Sequence, residues 1–166
     1  MNSLGGQHEE EPLHSGEVFH LWTYLFDTKA CLVTMQVLIN HCGDRDLKTY
    51  LEELLENGYT QEAEQTEALL KETGIRLPPA PPDRPNVEVQ DIPAGGRFND
   101  PEIATLVNKE LMSGRMMCSY IMGVSNREDI RTMFEDFHSQ KEENEVKLKQ
   151  IMKEKGWIVH PPINIK

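Results

Sequence analysis

No long apolar run occurs in this chain; Asp, Lys, Gln or Arg interrupts each extended hydrophobic stretch. A membrane-crossing helix needs about 20 consecutive apolar residues, so none is expected. Basic clusters are missing too. Lys and Arg number 17 against 28 Asp and Glu, a formal net charge of -11. Phosphate groups are gripped by a basic face, so nucleic acid and anionic membrane surfaces are disfavoured as partners. Cysteine is scarce: Cys31, Cys42 and Cys118 are odd in number and scattered. They form neither a zinc spacing nor a disulfide framework, which suits a reducing cytoplasm. Their simplest reading is as small buried hydrophobes. There is no phosphate-cradling glycine loop, no Gly-x-Ser-x-Gly elbow, no Cys–His pairing by spacing and no internal repeat. The opening "MNSLGGQHEEEP" lacks an apolar signal core and reads as a frayed tail over residues 1–12.

What is abundant is helical sequence. At 166 residues the chain is long enough to bury one real core, here assigned to residues 13–166. Four helical segments are predicted, at about 14–41, 44–73, 100–126 and 128–155. Gly43 and Gly74 follow the first two as C-terminal stops. Asp44 caps the second, and Asn99 or Asp100 caps the third with Pro101 in its first turn. Gly156 closes the fourth, and "WIVHPPINIK" trails off. "ENGYT", in the middle of the second segment, is weakly helical and a place for a kink. Only "NVEVQDI" has any strand character.

Between the second and third helices lies "GIRLPPAPPDRPNVEVQDIPAGGRFN". Antiparallel bundle helices need only about 2–8 connecting residues. A helix of about 25 residues is about 38 Å long, and a partly polyproline stretch spans that easily. The connection is therefore expected to return along the bundle, leaving helices two and three parallel. The fold class is all-α: a ferritin-like four-helix bundle with one long proline-rich crossover. A plain up-down bundle with a decorative loop is the alternative. "PPAPPDRP" also contains PxxP, a ligand pattern for SH3-type grooves, but a packed strut suits its position better.

Helical periodicity assigns the faces. On the first helix Lys29, Gln36 and Asn40 share a face expected to meet solvent. Two apolar flanks adjoin it, one with Leu21, Leu25 and Ile39, the other with Phe19, Phe26 and Val33. Opposite lies a second polar stripe of Glu17, His20, Tyr24, Asp27, Cys31 and Thr34, expected to face the axis. Glu62, Glu110 and Glu145 fall on or beside the inward lines of the other helices, with His138 and Lys141. Buried charges are costly unless paired or metal-bound, so the pattern calls for one of two explanations.

The first is a metal. Ferritin-like carboxylate sites take a Glu from each of two helices and a Glu-x-x-His from each of the other two. "EDFH" (Glu135 to His138) matches once; the second segment has no counterpart. With the crossover, Glu62 is level with His20, Tyr24, Cys118 and His138, while Glu110 is level with Cys31 and Glu145. No layer then holds a full di-metal set. A mononuclear Fe, Mn or Zn site from His20, Glu62 and His138 is the metal candidate, with Tyr24, Asp27, Glu110 and Glu145 as further inward polar groups. The second and favoured explanation is an ion-paired core network, for example Lys141 with Asp27. His14, His41 and His160, near segment ends, read as surface residues. Met112, Met116, Met117 and Met122 read as core and gap filling.

The segments "LHSGEVFHLWTYLFDTKACLVTMQVLINHCGD", the proline-rich connection and "GWIVHPP" carry a resemblance over nearly the whole chain. They resemble an uncharacterised family of Bacillus-type ferritin-like four-helix bundles, some described as spore coat proteins related to coat protein F. The resemblance implies the ferritin-like fold and a cytoplasmic or spore-associated setting. It brings no catalytic residues and no cofactor. Family members can hold two bundles, where this chain has one. The missing second Glu-x-x-His sets it apart from working di-iron proteins. The expected role is a non-enzymatic structural or interaction bundle, with metal binding as the alternative. The two apolar flanks of helix one point to a homodimer, and the resemblance points to spore coat proteins as partners.

Overall fold

The structure is a computed structural model and describes residues 11–165. Its α-helices are α1 (Ser15–His41), α2 (Arg45–Leu54), α3 (Thr60–Glu72), α4 (Asp100–Val124) and α5 (Glu128–Glu154). A single π turn, Leu55–Tyr59, joins α2 and α3, so the described residues form four helical rods with no strand. The weak helix formers of "ENGYT" produce this π turn, where the Thr60 hydroxyl donates to the Leu55 carbonyl five residues back (2.7 Å). "NVEVQDI" supplies only a short 3-10 turn, Val89–Asp91. All but the last two residues of the expected N-terminal tail lie outside the described residues.

Local chemistry sets the ends. The Asp44 carboxylate accepts from the amides of Asp46 and Leu47, both at 3.0 Å, and starts α2. Asn99 and Glu102 form a capping box at the start of α4, which satisfies two otherwise orphaned amides. Gly74 and Gly156 follow α3 and α5 with φ of 71°, a left-handed conformation that side chains with a Cβ resist. Gly43 is not in that conformation; its amide donates to the Asp100 carboxylate (2.8 Å) and ties the α1–α2 turn to α4.

Two of the histidines read as surface residues have structural work instead. His14 caps α1: its Nδ1 accepts from the Glu17 amide (3.1 Å), and Glu17 accepts from the His14 amide (3.0 Å). Its Nε2 stands 3.0 Å from the Val124 carbonyl at the end of α4. His41 Nδ1 accepts from the Phe98 amide (3.0 Å). His160 is exposed, as expected.

The face of Lys29, Gln36 and Asn40 does not meet solvent as expected. The proline-rich segment lies along it. Trp22 Nε1 donates to the Arg76 carbonyl (2.9 Å) and Lys29 Nζ to the Pro78 carbonyl (3.0 Å). Gln36 donates to Asp83 (3.0 Å) and accepts from the Arg84 amide (2.8 Å). Asn40 donates to the Pro85 carbonyl (2.9 Å) and accepts from the Val87 amide (3.1 Å). Positions 22, 29 and 36 recur every seven residues, so one helix face meets successive parts of the segment. Proline has no amide hydrogen, and its free carbonyls need donors; these polar side chains supply them. Asn40→Ala removes two hydrogen bonds, and a loss of about 1–2 kcal/mol is expected. A urea midpoint lowered at unchanged slope checks this.

The core falls into two apolar clusters. One gathers Met35, Leu51, Val107 and Leu148; the other gathers Leu25, Ile121, Phe134 and Phe137. Both contain side chains from all four rods. Met112, Met116 and Met117, expected as core filling, are exposed on α4. Met122 packs partly buried against the second cluster.

Candidate functional site

The buried charges of the bundle are joined to each other. Lys141 of α5 reaches Glu62 of α3, with Nζ 2.9 Å from Oε2. Both side chains are almost fully buried, at 5% and 3% exposure. The same carboxylate oxygen accepts from the Tyr24 hydroxyl of α1 (2.8 Å). That hydroxyl also stands 3.6 Å from Cys118 Sγ of α4. All four rods thus contribute to one network. Tyr59, in the π turn, presents its ring to the Lys141 ammonium at 4.6 Å, a geometry in which the ring face attracts a cation.

The stem of Lys141 passes over Gly114. A Cβ at that position would stand 2.9 Å from Lys141 Cε, so α4 leaves the passage open by having no side chain there. A second, more peripheral pair joins Arg115 to the buried Glu145.

The expected partner of Lys141 was Asp27; the structure gives Glu62 instead. Asp27 lies exposed on α1. Glu62, Tyr24 and Cys118, expected at one level, do meet there. His20 is half-buried and makes an edge contact with the Tyr120 ring, centroids 4.9 Å apart. His138 is half-buried on α5, three residues before Lys141. Among the described residues no three His, Cys, Asp or Glu side chains cluster in a way that could hold a metal ion. His20, Glu62 and His138 are accordingly not assembled as a ligand set.

Beside the network is a cavity of about 360 Å³ between α1 and α4. Tyr24, Cys31, Tyr59 and Lys141, all buried, line its inner part, and Asp27 and Glu110, both exposed, line its rim. The inner groups are held in their protonated forms. Burial, then the Glu110 charge, pushes the Cys31 thiol up to about 12. Burial pushes Cys118 up to about 11, against the lowering effect of Tyr24 and Lys141. Burial and the Glu62 charge raise Tyr24 well above the usual phenol range, and burial and Cys31 do the same for Tyr59. Cys42, away from the cavity, is pushed up to about 12 by burial and then Asp100. Nucleophilic cysteine needs the thiolate, and no thiol here is poised to supply it. The three cysteines are free and buried.

Spacing alone located Glu62 and Tyr24 but assigned Lys141 to the wrong acid.

Comparison with known proteins places this geometry in a lineage. A family model described as "Protein of unknown function (DUF3231)" matches residues 1–166. The chain belongs to that family. It is 42% identical over 165 residues to the uncharacterized protein YvdQ of Bacillus subtilis strain 168, covering 99% of this chain and 96% of that protein. It is also similar to a solved crystal structure from Bacillus halodurans C-125, described as that of a putative spore coat protein. There the identity is 44% and the TM-score 0.90, over 94% of this chain and 98% of the other. No helix among the described residues is long and apolar enough to cross a membrane.

Proposed function

We propose that the protein is a non-enzymatic helical bundle with a structural or interaction role, associated with the spore coat. The observation that carries this reading is the closed Lys141–Glu62–Tyr24 network, in which the buried charges satisfy each other. Burial raises the thiols and phenols around it, which keeps these groups from acting as nucleophiles. The likeness to the Bacillus halodurans protein supports the spore setting. In a spore-forming Bacillus host the tagged protein is expected in the alkaline coat extract of purified spores. Recovery only from the cytosol of vegetative cells would contradict the reading.

The bundle is read as ferritin-like, with residues 74–99 as its crossover. The hydrogen bonds of that segment to Trp22, Lys29, Gln36, Asn40 and His41 support this path. Self-association is read as a homodimer. Met112, Met116 and Tyr120 recur every four residues on α4, and together with Phe19 of α1 they are exposed. Phe19 and Tyr120 both meet the His20 ring, which makes the exposed face continuous across two helices. Light scattering at micromolar concentration is expected to give twice the chain mass, and a monomer mass would contradict it.

A further inference from the structure

We propose that the cavity between α1 and α4 binds a small organic cation, a protonated amine held by the Asp27 and Glu110 carboxylates at its rim and the Tyr59 hydroxyl within. Three observations converge on this chemistry. The first is charge. Lys141 is the only cation lining the cavity, and Glu62 already neutralises it at 2.9 Å. Asp27 and Glu110 make no ion pair among the described residues, so the lining carries uncompensated negative charge. Such a cleft concentrates cations and repels anions.

The second is an unused polar group. Tyr59 is 3% exposed, lines the cavity, and its hydroxyl makes no hydrogen bond of ordinary geometry among the described residues, with only the weakly bonding Cys31 thiol interacting with it. A buried hydroxyl without a partner costs stability, and an ammonium offers it the missing donor. Burial, then Cys31, Glu110 and Glu62, hold the hydroxyl in its protonated form, so it meets an ammonium as a neutral acceptor. The third is the rest of the wall. Ala30, Gly114 and Met117 are apolar and suit the methylene portion of an amine. A volume of about 360 Å³ lies within the range of small-molecule sites.

The test is calorimetric titration of the full-length protein with butane-1,4-diamine at about 0.15 M salt, where diffuse attraction is screened. Saturable one-to-one binding is expected, with no binding of butane-1,4-diol or succinate. Glu110→Gln, an exposed change that leaves the fold intact by circular dichroism, is expected to weaken it about tenfold or more. Ala30→Leu, which fills the cavity without touching a charge, is expected to abolish it. Tyr59→Phe is expected to weaken it while leaving the melting temperature of the free protein unchanged or raised. Absence of saturable heat, or heat insensitive to both Glu110→Gln and Ala30→Leu, would overturn the proposal. Saturable Mn²⁺ binding without diamine binding, lost in Glu110→Gln, would overturn it in favour of a metal site.

Discussion

Lys141→Met is expected to lower stability by about 3–5 kcal/mol, because it leaves the Glu62 carboxylate buried without its counter-charge. For a chain of this length that is a fall in melting temperature on the order of 10 °C. Methionine keeps the volume, so little of the loss comes from a cavity. Glu62→Gln added to Lys141→Met is expected to recover most of it. The amide oxygen still accepts from the Tyr24 hydroxyl, now 2.8 Å from the carboxylate, and neither position of the pair then carries a charge. Urea denaturation of the two single variants and the double gives the coupling directly. A double variant as unstable as the sum of the singles would mean that the pair contributes little to the fold.

Glu17→Ala is expected to cost about 2–4 kcal/mol. Glu17 is 1% exposed and its carboxylate accepts from the amides of Asn126 (2.7 Å), Arg127 (3.1 Å) and His14 (3.0 Å). One side chain thus caps α1 and ties it to the α4–α5 connection. Burial alone would raise its pKa. The hydrogen bonds from the Arg127, His14 and Asn126 amides outweigh that and hold it below the usual carboxylate range. A group depressed in the folded state contributes stability above its unfolded pKa and loses it as pH falls through the folded one. Stability of the wild type is therefore expected to fall as the pH drops below about 4, and Glu17→Ala is expected to show a shallower fall. Parallel acid-unfolding curves for the two proteins would contradict this.

Much of the bundle was legible in the sequence because its signals are local. Helical periodicity, Asp44, Asn99, Gly74 and Gly156 mark the helices to within a few residues of Ser15–His41, Asp100–Val124 and Glu128–Glu154. The site was only partly legible. Periodicity ranks positions as inward or outward, and it placed Tyr24 with Glu62. It does not tell a solvated polar face from one covered by a non-helical segment, so Lys29, Gln36 and Asn40 look exposed in the sequence. Nor does it foresee the π turn at Leu55–Tyr59, three residues before Glu62. Met112 and Met116 show the opposite error: apolar residues read as core stand on the surface. Hydropathy alone cannot separate a core face from an exposed apolar one.

Lys141, rather than a metal ion, neutralises Glu62 at the heart of the bundle. Elemental analysis of protein purified without chelator tests it most directly, before and after incubation with Fe, Mn and Zn salts and removal of the excess. Metal far below one atom per chain is expected in both samples. Near-stoichiometric metal in the wild type, lost in Glu62→Gln, would contradict it.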